Sequence, residues 1–121
     1  MVLTYPLGVR RNQTPRRWPL RLFRVVDDSM RPTVGPGDGL LAMRGGSIRR
    51  GQLRVFQDPR RSTRWLVKRV GDVYTDGRDV IFEARSDNPG APGAADSHDF
   101  GWIAAAGSYR VLWTARADSG D

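Results

Sequence analysis

Hydrophobic positions in this chain come in short runs, with no sustained recurrence at helical spacing. The runs are rich in Leu, Val, Phe and Tyr and are closed by Gly, Pro or Asp, the pattern of strands joined by turns. Leu22–Asp27 is the first clear run. Gly35-Pro36-Gly37-Asp38 reads as a turn into a strand at Leu40–Arg44. Leu53–Gln57 follows and stops at Asp58-Pro59, and Arg64–Val73 is the longest run. Asp76-Gly77 is a hairpin signal leading into Asp79–Ala84. Ser86–Gly101, full of Asp, Ala, Gly and Pro, reads as a long loop before a closing strand at Tyr109–Thr114. The expected fold class is mainly β, a small coiled sheet or partly open barrel. At 121 residues the length suits one domain, expected at 21–114. A basic, mobile segment is expected at 1–20 and a disordered tail at 115–121.

Composition narrows the chemistry. Without cysteine there is no disulfide framework, no thiolate metal site and no cysteine nucleophile. The single histidine, His98, cannot make a zinc site alone, so no metal or other cofactor is expected. The longest aliphatic runs are short, such as Leu40–Met43, far below the roughly 20 apolar residues of a membrane span. Met1–Leu20 has no apolar stretch followed by a small-residue cleavage site, so it does not read as a secretory signal. A cytoplasmic protein without a transmembrane anchor is the expectation. The formal charge of +7 raises nucleic acid or an anionic membrane surface as partners. However, the arginines are scattered, with small clusters at Arg10–Arg11, Arg16–Arg17, Arg49–Arg50 and Arg60–Arg61. No helix-turn-helix, zinc-finger or aromatic-plus-basic pattern accompanies them. Non-specific binding at low salt is expected, and a specific nucleic-acid partner is not.

Of the 20 Lys and Arg residues only Lys68 is a lysine. Arginine supplies charge but keeps its proton; a buried lysine can lose one and become a base. Along the strand Arg64–Val73, Leu66, Lys68 and Val70 share one face, and Trp65, Val67 and Arg69 share the other. Aliphatic neighbours on its own face desolvate the amine. Neutrality at pH 7 requires the surroundings to supply on the order of 4 kcal/mol. The ordinary alternative is a lysine that lays its stem on the sheet and reaches for water. Ser29 stands at a strand-to-turn junction, where a serine can offer its hydroxyl and its amide together. Pro32 stiffens that turn. The ordinary alternative here is a turn or capping serine.

Three segments then share a family likeness. Ser29-Met30-Arg31-Pro32-Thr33 with Gly37-Asp38, Lys68-Arg69-Val70, and Asp87-Asn88 with Asp96-Ser97 and Gly101 resemble, in order, the motif boxes of the signal peptidase I superfamily. The resemblance covers roughly residues 23–113 and puts the only lysine on the family's base position. It implies a fold of the signal peptidase–LexA type and a serine endopeptidase with a Ser/Lys dyad. Ser29 would be the nucleophile and Lys68 the general base. The Ser29 amide would form part of an oxyanion hole, with Met30, Arg69, Asp96 and Ser97 in support and Asp96 pairing with Arg69. Small soluble members of this kind resemble the nickel-type superoxide dismutase maturation proteases. The implied partner is a precursor protein whose short leader is removed.

The chain departs from the pattern in places. Asp27 stands two residues before Ser29, where the family has a small residue or a serine. An ionised carboxylate aimed at an oxyanion would oppose catalysis, so either Asp27 points elsewhere or the hole is built differently. The third box lacks its usual leading glycine and arginine and is lengthened by Gly90–Ala94. The serine that assists the lysine falls near Ala94, leaving Ser97 as the nearest substitute. Three other functions compete: a type I signal peptidase acting on exported preproteins at the membrane surface, a self-cleaving repressor, and a non-catalytic basic nucleic-acid-binding module. A repressor needs an Ala-Gly bond ahead of Ser29, and the only such pair is Ala106-Gly107, downstream.

Overall fold

The computed structural model describes residues 1–5 and 19–117. The apolar runs become strands: β1 (Val2–Tyr5), β2 (Leu20–Val25), β3 (Gly39–Arg44), β4 (Leu53–Asp58), β5 (Arg61–Asp76) and β6 (Asp79–Arg85). A single-turn helix α1 (Ser97–Phe100), a two-residue strand β7 (Ile103–Ala104) and β8 (Tyr109–Ala115) complete the chain. All pairings are antiparallel, in the order β1-β2-β3-β8-β4-β5-β6-β7, and β1 also pairs with β5 through Val2 and Trp65. That last contact closes a six-stranded barrel, β1-β2-β3-β8-β4-β5, with β6 and β7 as an extension beyond β5. The barrel is thus closed rather than partly open. No helix among the described residues is long and apolar enough to cross a membrane.

Closure by β1 corrects the expected boundary at residue 21. Val2 is buried in the core and β1 runs alongside β2 from Val2–Val25 to Tyr5–Leu22, so the start of the chain belongs to the domain. Residues 6–18 of the expected mobile segment and 118–121 of the expected tail lie outside the described residues. The first part of that tail is ordered: Ala115 ends β8, and the Ala117 amide donates to Asp38 Oδ1 at 2.7 Å.

Strand alternation gives β5 two buried faces. Val67 points into the barrel, where every barrel strand contributes to one cluster: Val2, Phe23, Val25, Leu40, Ala42, Val55, Val67 and Tyr109. Phe23, Trp65 and Tyr109 pack there with ring centroids 5.5–5.8 Å apart. Leu66 and Val70, on the opposite face, join Phe56, Phe82, Ala84 and Ile103 in a second cluster beneath the β6–β7 extension. Lys68 shares this second face. Burying apolar side chains on both sides makes β5 a rigid support for whatever Lys68 does.

Candidate active site

Ser29 lies in the turn that follows β2. Val34 N donates to Met30 O at 3.1 Å and Arg31 N to Asp28 O at 3.2 Å, so residues 28–34 are tightly wound. Met30 and Val34 anchor this turn in the barrel core, both 1% exposed or less. Two apolar anchors thus hold a polar residue, Ser29, at only 2% exposure. Its hydroxyl donates to Asp27 Oδ1 at 3.0 Å, and its amide donates to the same oxygen at 3.2 Å. Asp27 Oδ2 accepts from the Met1 ammonium. Asp27 therefore does not point elsewhere: its carboxylate occupies the amide expected to serve an oxyanion. Burial would raise the Asp27 pKa, but the Met1 ammonium and the two Ser29 bonds outweigh it and hold the carboxyl below its usual range.

Lys68 is 1% exposed and donates from Nζ to Ser86 Oγ at 2.8 Å. Desolvation pushes its pKa down from the ordinary lysine value. The nearby charges of Asp27 and Asp96 oppose that fall, and Arg64 and Arg60 assist it. Ser29 and Lys68 form no hydrogen bond to each other in this arrangement, each being engaged by another partner. The segment Ser86–Asn88 links them. Ser86 takes the lysine; Asn88 N donates to Ser29 O at 2.9 Å, and Asn88 Nδ2 to Asp28 O at 3.0 Å.

The supporting residues fall differently from expectation. Arg69 pairs with Asp87, not Asp96: Nε donates to Oδ1 at 2.9 Å and Nη2 to Oδ2 at 2.7 Å. Thr33 Oγ1 donates to Asp87 Oδ2 at 2.5 Å and accepts from Arg69 Nη2 at 3.2 Å. Met30 Sδ accepts from the Asp87 amide at 3.3 Å. One cluster thus ties the Ser29 turn, β5 and the segment after β6 together. Asp96 instead caps α1, accepting from His98 N at 2.9 Å, and its charge reaches Lys68 rather than Arg69. Ser97 is not the lysine's partner either, because its hydroxyl, held in the turn of α1, accepts from Ala84 N at 2.7 Å. Ser86, which binds Lys68, and Asp87, which pairs with Arg69, are not among the candidate site residues the sequence offers. His98 is mostly exposed, its Nδ1 3.1 Å from the same Asp96 Oδ1 that accepts from its amide. Among the described residues no group of three or more His, Cys, Asp or Glu could hold a metal ion.

The Arg69–Asp87 pair is bidentate and half-buried, the stronger kind of ion pair. Arg69→Ala is expected to lower stability by about 1–3 kcal/mol, because it leaves Asp87 with only Thr33 and also breaks the bond to Gly51 O. Thermal denaturation checks this. The Arg69 bond, aided by Thr33 and opposed by burial, holds the Asp87 pKa below its ordinary value. The pair's contribution is therefore present above the ordinary carboxylate range and fades as pH falls through the depressed value. The difference between the two proteins should shrink in acid. No protein family, curated protein or solved structure matches the chain.

Proposed function

We propose that this chain is a serine endopeptidase, with Ser29 as nucleophile and Lys68 as base, that removes a short leader from a precursor protein. The observation that supports this best is the convergence of the three motif segments. A nearly inaccessible hydroxyl and a nearly inaccessible amine lie on either side of one short segment, 86–88, that bonds to both neighbourhoods. A structural lysine has little reason to be buried with a hydroxyl as its hydrogen-bond partner and no carboxylate paired to it. A desolvated amine is what a Ser/Lys mechanism requires.

On this reading, rotation about the Ser29 Cα–Cβ bond turns the hydroxyl from Asp27 toward Lys68. Neutral Lys68 takes the hydroxyl proton as Oγ bonds to the scissile carbonyl carbon. The negative charge that develops on the carbonyl oxygen is met by the Ser29 amide. Collapse of that intermediate breaks the C–N bond, and the Lys68 ammonium returns its proton to the leaving amine. A water, deprotonated by the same amine, then attacks the acyl-enzyme ester, and Oγ recovers a proton. Ser86 keeps the amine aimed throughout, and Leu66 and Val70 flank Lys68 on its face of β5.

The substrate we favour is a superoxide dismutase precursor of the nickel type, on the strength of the motif resemblance and the absence of a membrane-crossing helix among the described residues. Purified protein incubated with that precursor should give one new N-terminus by mass spectrometry, and an exported preprotein should give none. Cleavage of the preprotein alone would transfer the assignment to leader removal at a membrane surface. No Ser29-dependent cleavage of either would overturn the peptidase reading.

A further inference from the structure

The three donors around Asp27 make it more than a turn residue. A serine peptidase must present two groups to a substrate carbonyl, the nucleophilic hydroxyl and an oxyanion amide. Here both belong to Ser29, and both are spent on one oxygen, Asp27 Oδ1, at 3.0 and 3.2 Å. A carboxylate oxygen that accepts from the amide stands where a substrate's carbonyl oxygen would have to sit. The other oxygen is fastened from outside by the Met1 ammonium. The Met1 carbonyl accepts from Val26 N at 3.0 Å, so Met1, which carries that ammonium, is pinned to the residue just after β2.

We propose that Asp27 is a positioning residue that holds Ser29 in a resting state, occupying the oxyanion amide with its own carboxylate until a substrate carbonyl displaces it. The proposal rests on the Ser29/Lys68 reading and deepens it. Displacement costs the substrate two hydrogen bonds to a charged acceptor, which penalises weakly held peptides. A precursor gripped along its leader can supply that free energy from contacts remote from the scissile bond. The carboxylate would thus act as a threshold for substrate quality. It also acts on the base: its negative charge favours the protonated amine of Lys68.

Two substitutions test this. Asp27→Ser shortens the side chain and removes the charge. Asp27→Asn keeps the shape and an acceptor for Ser29 but removes the charge. The readouts are the rate at which a fluorophosphonate labels Ser29, the cleavage of a short unstructured peptide, and the pH at which labelling rises. Labelling of D27S is expected to be at least ten-fold faster than wild type, through KM more than kcat for the peptide, with D27N in between. The charged groups that act on Lys68 are Asp27, Asp96, Arg64 and Arg60, with the Met1 ammonium and Asp87 also coupled to it, and of these the substitutions remove only Asp27. The pH midpoint should therefore move to lower pH in both variants, which a merely structural turn residue would not cause. Where D27S lowers the melting temperature by more than about 5 °C, the isosteric D27N carries the test. If the variants that keep wild-type stability label no faster than wild type and show no shifted midpoint, the resting-state role is wrong while the dyad stands. If Ser29 is labelled in neither wild type nor variant, the peptidase reading falls and the role of Asp27 falls with it.

Discussion

Ser29→Ala is expected to cut precursor processing by about 10⁴-fold or more, on the order of 5 kcal/mol of transition-state stabilisation, with the fold intact. On the proposed reading the Ser29 oxygen is the atom that bonds to substrate, and no other group takes its place. The structural cost is small. The Ser29 hydroxyl makes one bond, to Asp27, and the amide bond to the same oxygen survives the substitution. Asp27 also retains the Met1 ammonium, so no buried charge is left alone. Met30 and Val34 still anchor the turn in the core. Melting within a few degrees of wild type, together with loss of the new N-terminus, is the expected pair of results. Wild-type turnover by the alanine variant would remove Ser29 from the chemistry. Loss of both activity and fold would mean that the serine matters for the turn alone.

How much of this arrangement was legible beforehand follows from which contacts are local. The long run Arg64–Val73 and the Asp76-Gly77 turn depend on near neighbours, and β5 and β6 pair about that turn with Asp76 opposite Asp79. The burial of Lys68 also followed from local alternation, since Leu66 and Val70 flank it on one face. Strand β1 was illegible because four residues carry little periodic signal. Its existence is decided by β2 and β5, far along the chain. The same holds for β7, two residues long, with Ile103 opposite Phe82 on β6.

The expected partners Asp96 and Ser97 came from the motif resemblance, whereas the observed partner of Lys68, Ser86, is set by one irregularity in the β5–β6 ladder. Counting back from the Asp76–Asp79 hairpin with an unbroken register sets Lys68 opposite Asp87. The ladder slips by one between Val70 and Val73, so that Arg69 faces Arg85, and one step further Lys68 meets Ser86. Gly71 lies at the slip, where an added Cβ would come within 2.3 Å of Glu83 Oε1. A glycine inside a long strand is the one sequence signal that hinted at a bulge. It locates the irregularity without giving its direction, and the direction decides whether a serine or an aspartate reaches the amine. A hydroxyl there leaves Lys68 free to be neutral; a carboxylate would have kept it charged. The identity of residue 86 is therefore as important to the proposed chemistry as Lys68 itself.

Lys68 should separate activity from stability more sharply than any other position. Lys68→Arg keeps the charge and is expected to be inactive by about 10⁴-fold, since guanidinium does not give up its proton. Lys68→Met is expected to be equally inactive, but more stable than wild type by about 1 kcal/mol at pH 7. Burying an ammonium is costly, and methionine fills a similar volume without charge. Loss of the donor to Ser86 Oγ offsets part of the gain. The pH dependence fixes the sign. Desolvation lowers the amine's pKa in the folded protein while the unfolded chain keeps the ordinary lysine value. Between the two the unfolded state binds more protons, so wild-type stability rises with pH across that window. The methionine variant has no such slope. Its advantage should be greatest at neutral pH and below, and should narrow as pH climbs toward the ordinary lysine value. Wild-type activity should rise through the lower part of the same window, as the folded amine loses its proton. Chemical denaturation and single-turnover cleavage across that range measure both curves. A shared midpoint identifies the stability cost of the buried amine with its competence as a base. A stability slope without a matching activity rise would show that Lys68 is buried for reasons other than catalysis.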